Sequence, residues 1–285
     1  MKVFVTGGSG YIGRAVVAAL VREGHTVEAL ARSERAADVV GGLGARAVTG
    51  GLTDLDVLNT AAARAQAVIY LAQADSGEAD LAAAGAMQDG IGGGTYVHTG
   101  GSWVYGDTDG VSDEDAPWNP PALVAWRERV ETEVLRRAER GGRPVVIRAG
   151  LVYGLGGGLI DIFYAGPARR DGVVSCIGEG TNHWSLIHVE DLAELYVAAL
   201  RARPGAVYVG VGGVDPTARD AALAVSRALG IDGKVRSVSP AEARETMGPI
   251  ADAFRLDQRF SPARARAELG WVPRHTDPLT VLAGG

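Results

Sequence analysis

Short apolar runs alternate with alanine-rich stretches along the first half of the chain. The apolar runs have the length of β-strands, and residues from about Tyr11 to Arg22 have the composition of a helix. These runs are KVFVT, TVEALA, ARAVT, QAVIYLA and TYVHT. Strands that alternate with helices are typical of a parallel sheet with right-handed crossovers. The pattern therefore predicts an α/β fold.

A long helix is predicted next, from about Leu123 to Arg140, followed by the inner strand PVVIRA. Beyond Tyr153 come the loop GLGGG, a mixed segment and the strand AVYVGV. Three more helices are predicted at about 191–201, 218–229 and 262–269. By contrast, residues 77–94 are rich in glycine and poor in apolar residues, which predicts only a short or irregular helix.

Composition excludes several classes of protein. The net charge is −6 with acids and bases interspersed, so we expect no nucleic-acid partner. Cys176 is the only cysteine, and His98 and His183 are isolated, so we predict neither a disulfide framework nor a metal site. No apolar run approaches ~18 residues, and the start MKVFVTGG does not resemble a signal peptide. We therefore expect a cytoplasmic protein without a membrane partner.

The segment TGGSGYIGR, residues 6–14, lies between the first strand and the first helix. Gly7, Gly10 and Gly13 give the spacing G-x-x-G-x-x-G. Glycines at these positions let backbone N–H groups and a helix N-terminus approach a pyrophosphate. A turn of this composition also arises for purely steric reasons, but its position favours a dinucleotide site.

The end of the second predicted strand bears on which dinucleotide binds. Ala31 and Arg32 stand where a site for a ribose 2′-hydroxyl usually has an acidic residue. Arg14 and Arg35 are placed to join Arg32, and guanidinium groups match phosphate oxygens. These residues predict NADP rather than NAD, the alternative being solvated arginines at a strand end.

Five motifs, spread in order along the chain, resemble those of the extended short-chain dehydrogenase/reductases. They are TGGSGYIG, HTGGSWVYG, VIRAGLVYG, WSLIHVEDLAELYVAAL and FSPARARAELGWVP. More narrowly, they resemble atypical members of the NAD-dependent epimerase/dehydratase-like family. The resemblance implies a doubly wound Rossmann sheet that binds NAD(P) and a smaller C-terminal lobe that selects a small-molecule substrate. The scarcity of lysine beside many arginines further suggests a GC-rich bacterial source.

The resemblance also implies a division of the chain and a set of cofactor contacts. Residues 1–154 would form the Rossmann domain and residues 155–285 mainly the substrate lobe, with a helix and strand near 191–211 returning to the Rossmann domain. The implied cofactor-binding residues are Gly7, Gly10, Tyr11, Ile12, Gly13, Arg14, Arg32, Ser33, Leu71, Ala72 and Arg127. Family members are often dimers through two helices per subunit, so a homodimer is open, although glycine-rich residues 77–94 weaken that expectation.

The chain departs from the family at the catalytic residues. Members normally carry Tyr-x-x-x-Lys on the helix predicted after Leu123, and alignment through Glu131 places Leu123 and Arg127 at these two positions. Lys2 and Lys234 are the only lysines, so the motif is absent from the whole chain. The usual serine position is Gly101 or Gly100, flanked by Thr99 and Ser102.

Other side chains must therefore supply any proton. The candidates on stretches that border the nicotinamide in the family are Thr99, Ser102, Tyr105 and Tyr153. Arg127 can donate to a ribose hydroxyl but is no general base. Its alternative role is an exposed ion pair with Glu131, four residues later.

Two functions of different classes follow. The first is an NADPH-dependent reductase, dehydrogenase or epimerase with a non-standard proton donor, acting on a small organic molecule. A tyrosine without lysine donates a proton but is a poor base, which favours reduction.

The second function is that of a redox-silent NADP-binding sensor or scaffold. Trp184, His188 and Asp191 are interpreted as structural residues of the C-terminal lobe.

Overall fold

Thirteen strands and thirteen helices make up the part of the chain that the computed structural model describes, residues 1–231 and 233–284. The strands are β1 (Lys2–Thr6), β2 (Thr26–Ala31), β3 (Arg46–Thr49), β4 (Ala67–Tyr70), β5 (Thr95–Gly101), β6 (Val111–Ser112), β7 (Arg143–Ala149), β8 (Leu151–Tyr153), β9 (Val174–Ile177), β10 (Leu186–His188), β11 (Ala206–Gly210), β12 (Val235–Val238) and β13 (Arg259–Phe260). The helices are α1 (Tyr11–Arg22), α2 (Glu34–Gly42), α3 (Leu55–Ala63), α4 (Gly77–Ile91), α5 (Arg127–Arg136), α6 (Gly158–Ile160), α7 (Gly166–Asp171), α8 (Val189–Ala199), α9 (Ala218–Ala228), α10 (Pro240–Met247), α11 (Ile250–Phe254), α12 (Ala263–Leu269) and α13 (Pro278–Leu282). None of the described helices is both long and apolar enough to span a bilayer.

Seven parallel strands form the central sheet in the order β11-β7-β5-β4-β1-β2-β3. Helices α1 and α8 cover one face, and α3, α4 and α5 cover the other. The direction of winding reverses between β1 and β4, and in such sheets ligands bind at the carboxyl ends of the strands beside that point. The doubly wound Rossmann fold predicted from the sequence is confirmed.

A second hydrophobic core is formed by residues between Leu151 and Phe254 and is rich in aromatic rings. Trp184 and Tyr164 each contact Phe254 within this core, with ring centroids 5.6 and 5.3 Å apart. Cys176 is buried there as a small apolar side chain. Strand β11 pairs with β7 and α8 packs against α1, so these two elements belong to the central layer although they follow part of the second core in sequence.

Residues 77–91 form the regular 15-residue helix α4, so the prediction of a short or irregular helix was wrong. Ser76 caps the helix, since its Oγ accepts from Ala79 N at 3.2 Å. A Cβ on Gly90 would lie 2.3 Å from the carbonyl oxygen of Asn59 in α3. This glycine therefore allows two helices to approach closely rather than breaking one.

The helix predicted from Leu123 to Arg140 is divided into three parts. A 3₁₀ turn spans Ala122–Val124, α5 spans Arg127–Arg136, and a second 3₁₀ turn spans Arg137–Arg140. Leu123, at the family's tyrosine position, consequently lies outside α5.

We expect Gly90→Ala to lower the free energy of unfolding by about 1–3 kcal/mol, because the methyl group would collide with backbone rather than with a movable side chain. Gly41→Ala is the matched control: Gly41 lies in α2 with no atom near its Cβ position, so alanine should raise stability by about 0.5–1 kcal/mol. Urea unfolding of both variants measures the difference. Equal effects of the two substitutions would contradict the packing role of Gly90.

Candidate functional site

The glycine turn after β1 packs against the end of β4. Gly7 has φ +71°, and a Cβ there would lie 2.8 Å from Ala72 N. A Cβ on Gly13 would lie 2.0 Å from the carbonyl oxygen of Gly7, which itself accepts from Gly10 N at 3.0 Å. Gly7 and Gly13 are therefore required because a side chain at either position would collide with backbone atoms. This requirement is compatible with a role of the turn in cofactor binding.

Helix α1 begins in this turn without a side chain that satisfies its first amides. Gly10 is the N-cap, and the first turn, which includes Tyr11, Ile12 and Gly13, contains no acidic residue. Free N–H groups and the positive end of the helix dipole favour an anion at this position. The turn thus has the chemistry to bind a pyrophosphate at the reversal point of the sheet.

Tyr11 connects the turn to the loop that follows β8. Its hydroxyl donates to the carbonyl of Gly154 at 2.7 Å. The ring fills the space beside Gly157, where a Cβ would lie 2.5 Å from a ring carbon. The side chain of Tyr11 therefore has a structural role beside whatever its backbone amide contacts.

Two exposed arginines lie where the sequence predicted a 2′-phosphate site. Arg32 follows the last residue of β2, and among the described residues its side chain makes no hydrogen bond or ion pair. Arg14 donates from Nε to the carbonyl of Ser9 at 2.9 Å. Ser33 caps α2 by accepting from Ala36 N at 3.2 Å, so its hydroxyl already has a partner.

Leu71 and Ala72 line the same edge. Leu71 N donates to the carbonyl of Thr6, and Ala72 N to the hydroxyl of Thr6, both at 3.3 Å. Both side chains are half-buried. These contacts hold the segment after β4 directly against the glycine turn.

Arg127 reaches over the carboxyl end of the sheet. Its guanidinium donates to the carbonyl of Thr99 at 3.1 Å and to Gln73 Oε1 at 3.4 Å, and it lies 4.7 Å from the ring centre of Trp126. Glu131 is buried and bonds to Arg148 at 2.8 Å instead. The alternative of an exposed Arg127–Glu131 ion pair was therefore wrong.

Thr99 presents a hydroxyl group in this region. Its Oγ1 lies 2.7 Å from the hydroxyl of Tyr196, a fully buried residue of α8. Since side chains alternate along a strand, Thr99 faces the same side as Gly101, one of the two positions at which the family's serine is expected. Sequence reasoning missed Tyr196 because it stands in the apolar run of a helix.

Ser102 and Tyr105, by contrast, are engaged in the structure. Ser102 Oγ donates to Gln258 Oε1 at 3.0 Å, and the Gln258 amide donates back to the carbonyl of Ser102 at 2.9 Å. The Tyr105 hydroxyl donates to the carbonyl of Glu114 at 3.1 Å and accepts from Arg148, while burial raises its pKa to about 12. Because both hydroxyls already bond to protein groups, the structure does not favour either as the proton donor, and their catalytic role stays a prediction.

Tyr153 is a buried residue whose ring meets His188 edge-on at 5.4 Å. Among the described residues its hydroxyl makes no hydrogen bond. Burial raises the pKa of this hydroxyl above its ordinary value, with a smaller contribution from Asp191. Tyr153 thus stays a candidate donor on position alone.

The three polar residues interpreted as structural have structural contacts. His188 caps α8 by accepting from Glu190 N at 3.3 Å, and Trp184 Nε1 donates to the carbonyl of Phe254 at 2.9 Å. Asp191 accepts from His275 N at 2.9 Å. The rings of His188 and His275 stack at 3.6 Å, and with Glu190 they bring three potential ligand atoms within 4.8 Å of one another, so the absence of a metal site stays a prediction.

Comparison with known proteins identifies the family. The family model for the NAD dependent epimerase/dehydratase family matches residues 3–210. The chain belongs to this family.

Curated relatives cover nearly the whole chain. An uncharacterized protein of Saccharomyces cerevisiae is 30% identical over 96% of this chain and 95% of its own, and one of Schizosaccharomyces pombe is 29% identical over 99% and 98%. The 2-alkyl-3-oxoalkanoate reductase of Stenotrophomonas maltophilia is 27% identical over 74% of this chain and 68% of its own. The bacterial source inferred from arginine usage stays a prediction.

Solved structures share the fold. The dTDP-glucose 4,6-dehydratase of Bacillus anthracis, in complex with NAD, has a TM-score of 0.81 at 18% identity and covers 99% of this chain and 94% of its own. A human epimerase family protein with NADPH has a TM-score of 0.78 at 24% identity, over 100% and 98%. Members of this fold therefore bind either nicotinamide cofactor.

We expect Arg127→Ala to weaken NADPH binding by about 10- to 100-fold, the loss typical of charge-assisted hydrogen bonds to one ligand. The pH dependence of cofactor affinity near neutral pH should be the same in the variant and the wild type, because the guanidinium group that is removed stays charged throughout this range. Arg129→Ala is the control, since it removes the same charge from an exposed position of α5. Calorimetric titration with NADPH measures both; unchanged affinity and turnover in Arg127→Ala would reduce this residue to a structural contact.

Proposed function

We propose that this chain is an NADPH-dependent reductase that transfers hydride to the carbonyl group of a small organic molecule. The carrying observation is the arrangement at the carboxyl edge of the sheet, where Arg127 donates to the backbone carbonyl of Thr99 and the Thr99 hydroxyl bonds to Tyr196. It combines a hydroxyl donor and a fixed positive charge where the usual Tyr-x-x-x-Lys is missing.

The cofactor site is made from the edges of three neighbouring strands. The amides at the start of α1 would hold the pyrophosphate, Leu71 and Ala72 would border the dinucleotide, and Arg127 would donate to the nicotinamide ribose. NADPH, when bound, supplies the hydride. The family and the fold both support this arrangement.

Thr99 and Arg127 have the chemistry to stabilise the alkoxide that hydride addition leaves on the substrate. The Thr99 hydroxyl donates a hydrogen bond to the oxygen, and the Arg127 charge lowers the free energy of the developing anion. A hydroxyl of Tyr153 or a water molecule then provides the proton. A reductase among the relatives supports reduction as the direction.

We further propose NADP(H) as the preferred cofactor. Arg32 is exposed at the end of β2, its side chain forms no ion pair among the described residues, and Arg14 is exposed one residue beyond Gly13. A charge-assisted hydrogen bond to the 2′-phosphate contributes about 1.5–3 kcal/mol before solvent screening.

A redox-silent NADP-binding sensor is the second candidate. Leu123 supports it, because an apolar, partly exposed residue of a 3₁₀ turn stands at the family's tyrosine position. A sensor would bind the cofactor without transferring hydride.

Incubation with 4-deuterated NADPH and a panel of ketones, imines and enones decides between these functions. We expect deuterium at the former carbonyl carbon of at least one ketone, detected by mass spectrometry. The unlabelled cofactor and the Gly13→Ala variant, in which the glycine turn collides with itself, are the controls. Tight NADPH binding without label transfer to any compound would favour the sensor.

We expect wild-type protein to bind NADPH about 10- to 100-fold more tightly than NADH, and Arg32→Ala to lose most of that preference. Its NADH affinity should stay nearly unchanged, because arginine gains little from an uncharged hydroxyl. Arg227→Ala, which removes an exposed arginine from α9, controls for net charge. Wild-type affinity for NADH equal to that for NADPH, in calorimetric titrations, would contradict the assignment.

A further inference from the structure

We infer that Tyr196 is a positioning residue: its hydroxyl donates to Thr99 Oγ1 and leaves the Thr99 proton free for the substrate oxygen. The inference rests on the proposed reductase function and adds a residue to it. Tyr196 lies on α8, on the far side of the sheet from α5.

The direction of the hydrogen bond follows from counting donors and acceptors. The hydroxyl groups are 2.7 Å apart, and the distance alone permits either to donate. Tyr196 is fully buried, and among the described residues Thr99 is its only side-chain hydrogen-bond partner. A buried hydroxyl proton without an acceptor is costly, so the Tyr196 proton goes to Thr99.

The proton of Thr99 then has no partner within the described protein. Thr99 is half-buried rather than buried, and the proposed role requires a ligand at the sheet edge to accept from its hydroxyl. A phenol is also a stronger donor than an aliphatic alcohol, which reinforces this polarity. The Thr99 hydroxyl thus accepts a hydrogen bond from the buried Tyr196 and can donate one to a ligand at the sheet edge.

Thr99 is held from both faces of the sheet. Arg127 donates to its backbone carbonyl from the α5 face, and Tyr196 holds its side chain from the α8 face. The ring of Tyr196 is packed in the core between α8 and the sheet, which leaves little rotational freedom. Such restraint is what a hydrogen-bond donor aimed at a reacting atom requires.

Two other buried tyrosines of the described chain donate to carboxylates rather than to a hydroxyl. Tyr70 donates to a carboxylate oxygen of Asp80 at 2.7 Å, and Tyr208 donates to one of Glu268 at 2.8 Å. Both bonds end on a carboxylate oxygen. The hydrogen bond of Tyr196 ends on the Thr99 hydroxyl, which can itself donate a hydrogen bond to another group.

A double-mutant cycle on the ketone reduced by the wild type tests this role. We expect Thr99→Val to lower kcat about 100-fold, as the loss of one oxyanion donor does, and Tyr196→Phe to lower kcat about tenfold with KM and NADPH affinity unchanged. Because Tyr196 acts through Thr99, the double variant should be no slower than Thr99→Val. Thr99→Ser should keep most of the wild-type kcat. Adding Tyr196→Phe to the Thr99→Ser variant should lower kcat again.

Tyr208→Phe is the matched control, since it removes the phenol hydroxyl of a buried residue in β11, two strands from Thr99, and should leave kcat unchanged. Additive losses in the cycle, an unchanged rate in Tyr196→Phe, or the same loss in Tyr208→Phe would overturn the positioning role alone. Absence of deuterium transfer by the wild type would overturn the reductase and, with it, any positioning role for Tyr196.

Discussion

The buried ion pair between Glu131 of α5 and Arg148 of β7 fixes the geometry on which the site depends. Both side chains are nearly inaccessible, and the atoms are 2.8 Å apart. Charges removed from water are tolerated only when paired, so α5 cannot shift or rotate against the sheet without a cost of several kcal/mol. Arg127 lies one turn before Glu131, and this restraint aims its guanidinium at Thr99. The pair also explains Gly100, where a Cβ would lie 2.5 Å from Glu131 Oε1.

This restraint holds α5, the helix on which family members normally carry Tyr-x-x-x-Lys, in position without those residues. The chain before α5 forms a separate 3₁₀ turn, so Leu123 is not held on the helix. The polar groups that meet at the sheet edge come instead from a strand and from the opposite layer: Thr99 from β5 and Tyr196 from α8. Under the proposed function, the groups that act on the substrate come from β5 and α8 instead of α5, while the cofactor binds at the same edge of the sheet.

The strands were predictable because buried parallel strands appear as continuous apolar runs, and the glycine turn because its spacing has a direct steric cause. The helix α4 was missed because a glycine's role depends on its neighbour, here the carbonyl of Asn59. The hydrogen bond of Ser102 could not be predicted because its partner, Gln258, is 156 residues away in sequence. Tyr196 carried no signal, since its hydroxyl matters only through a contact made by folding.

The surrounding hydroxyl groups also bear on the direction of reaction. Burial raises the pKa of Tyr11, Tyr153 and Tyr196, and at Tyr196 the Thr99 hydroxyl and the Arg127 charge offset only part of that effect. None of the three is therefore a base near neutral pH, and guanidinium only donates. An epimerase must remove a proton from an alcohol before returning hydride, whereas a reductase needs only donors. Under the proposed function, the need for donors alone agrees with reduction rather than epimerisation.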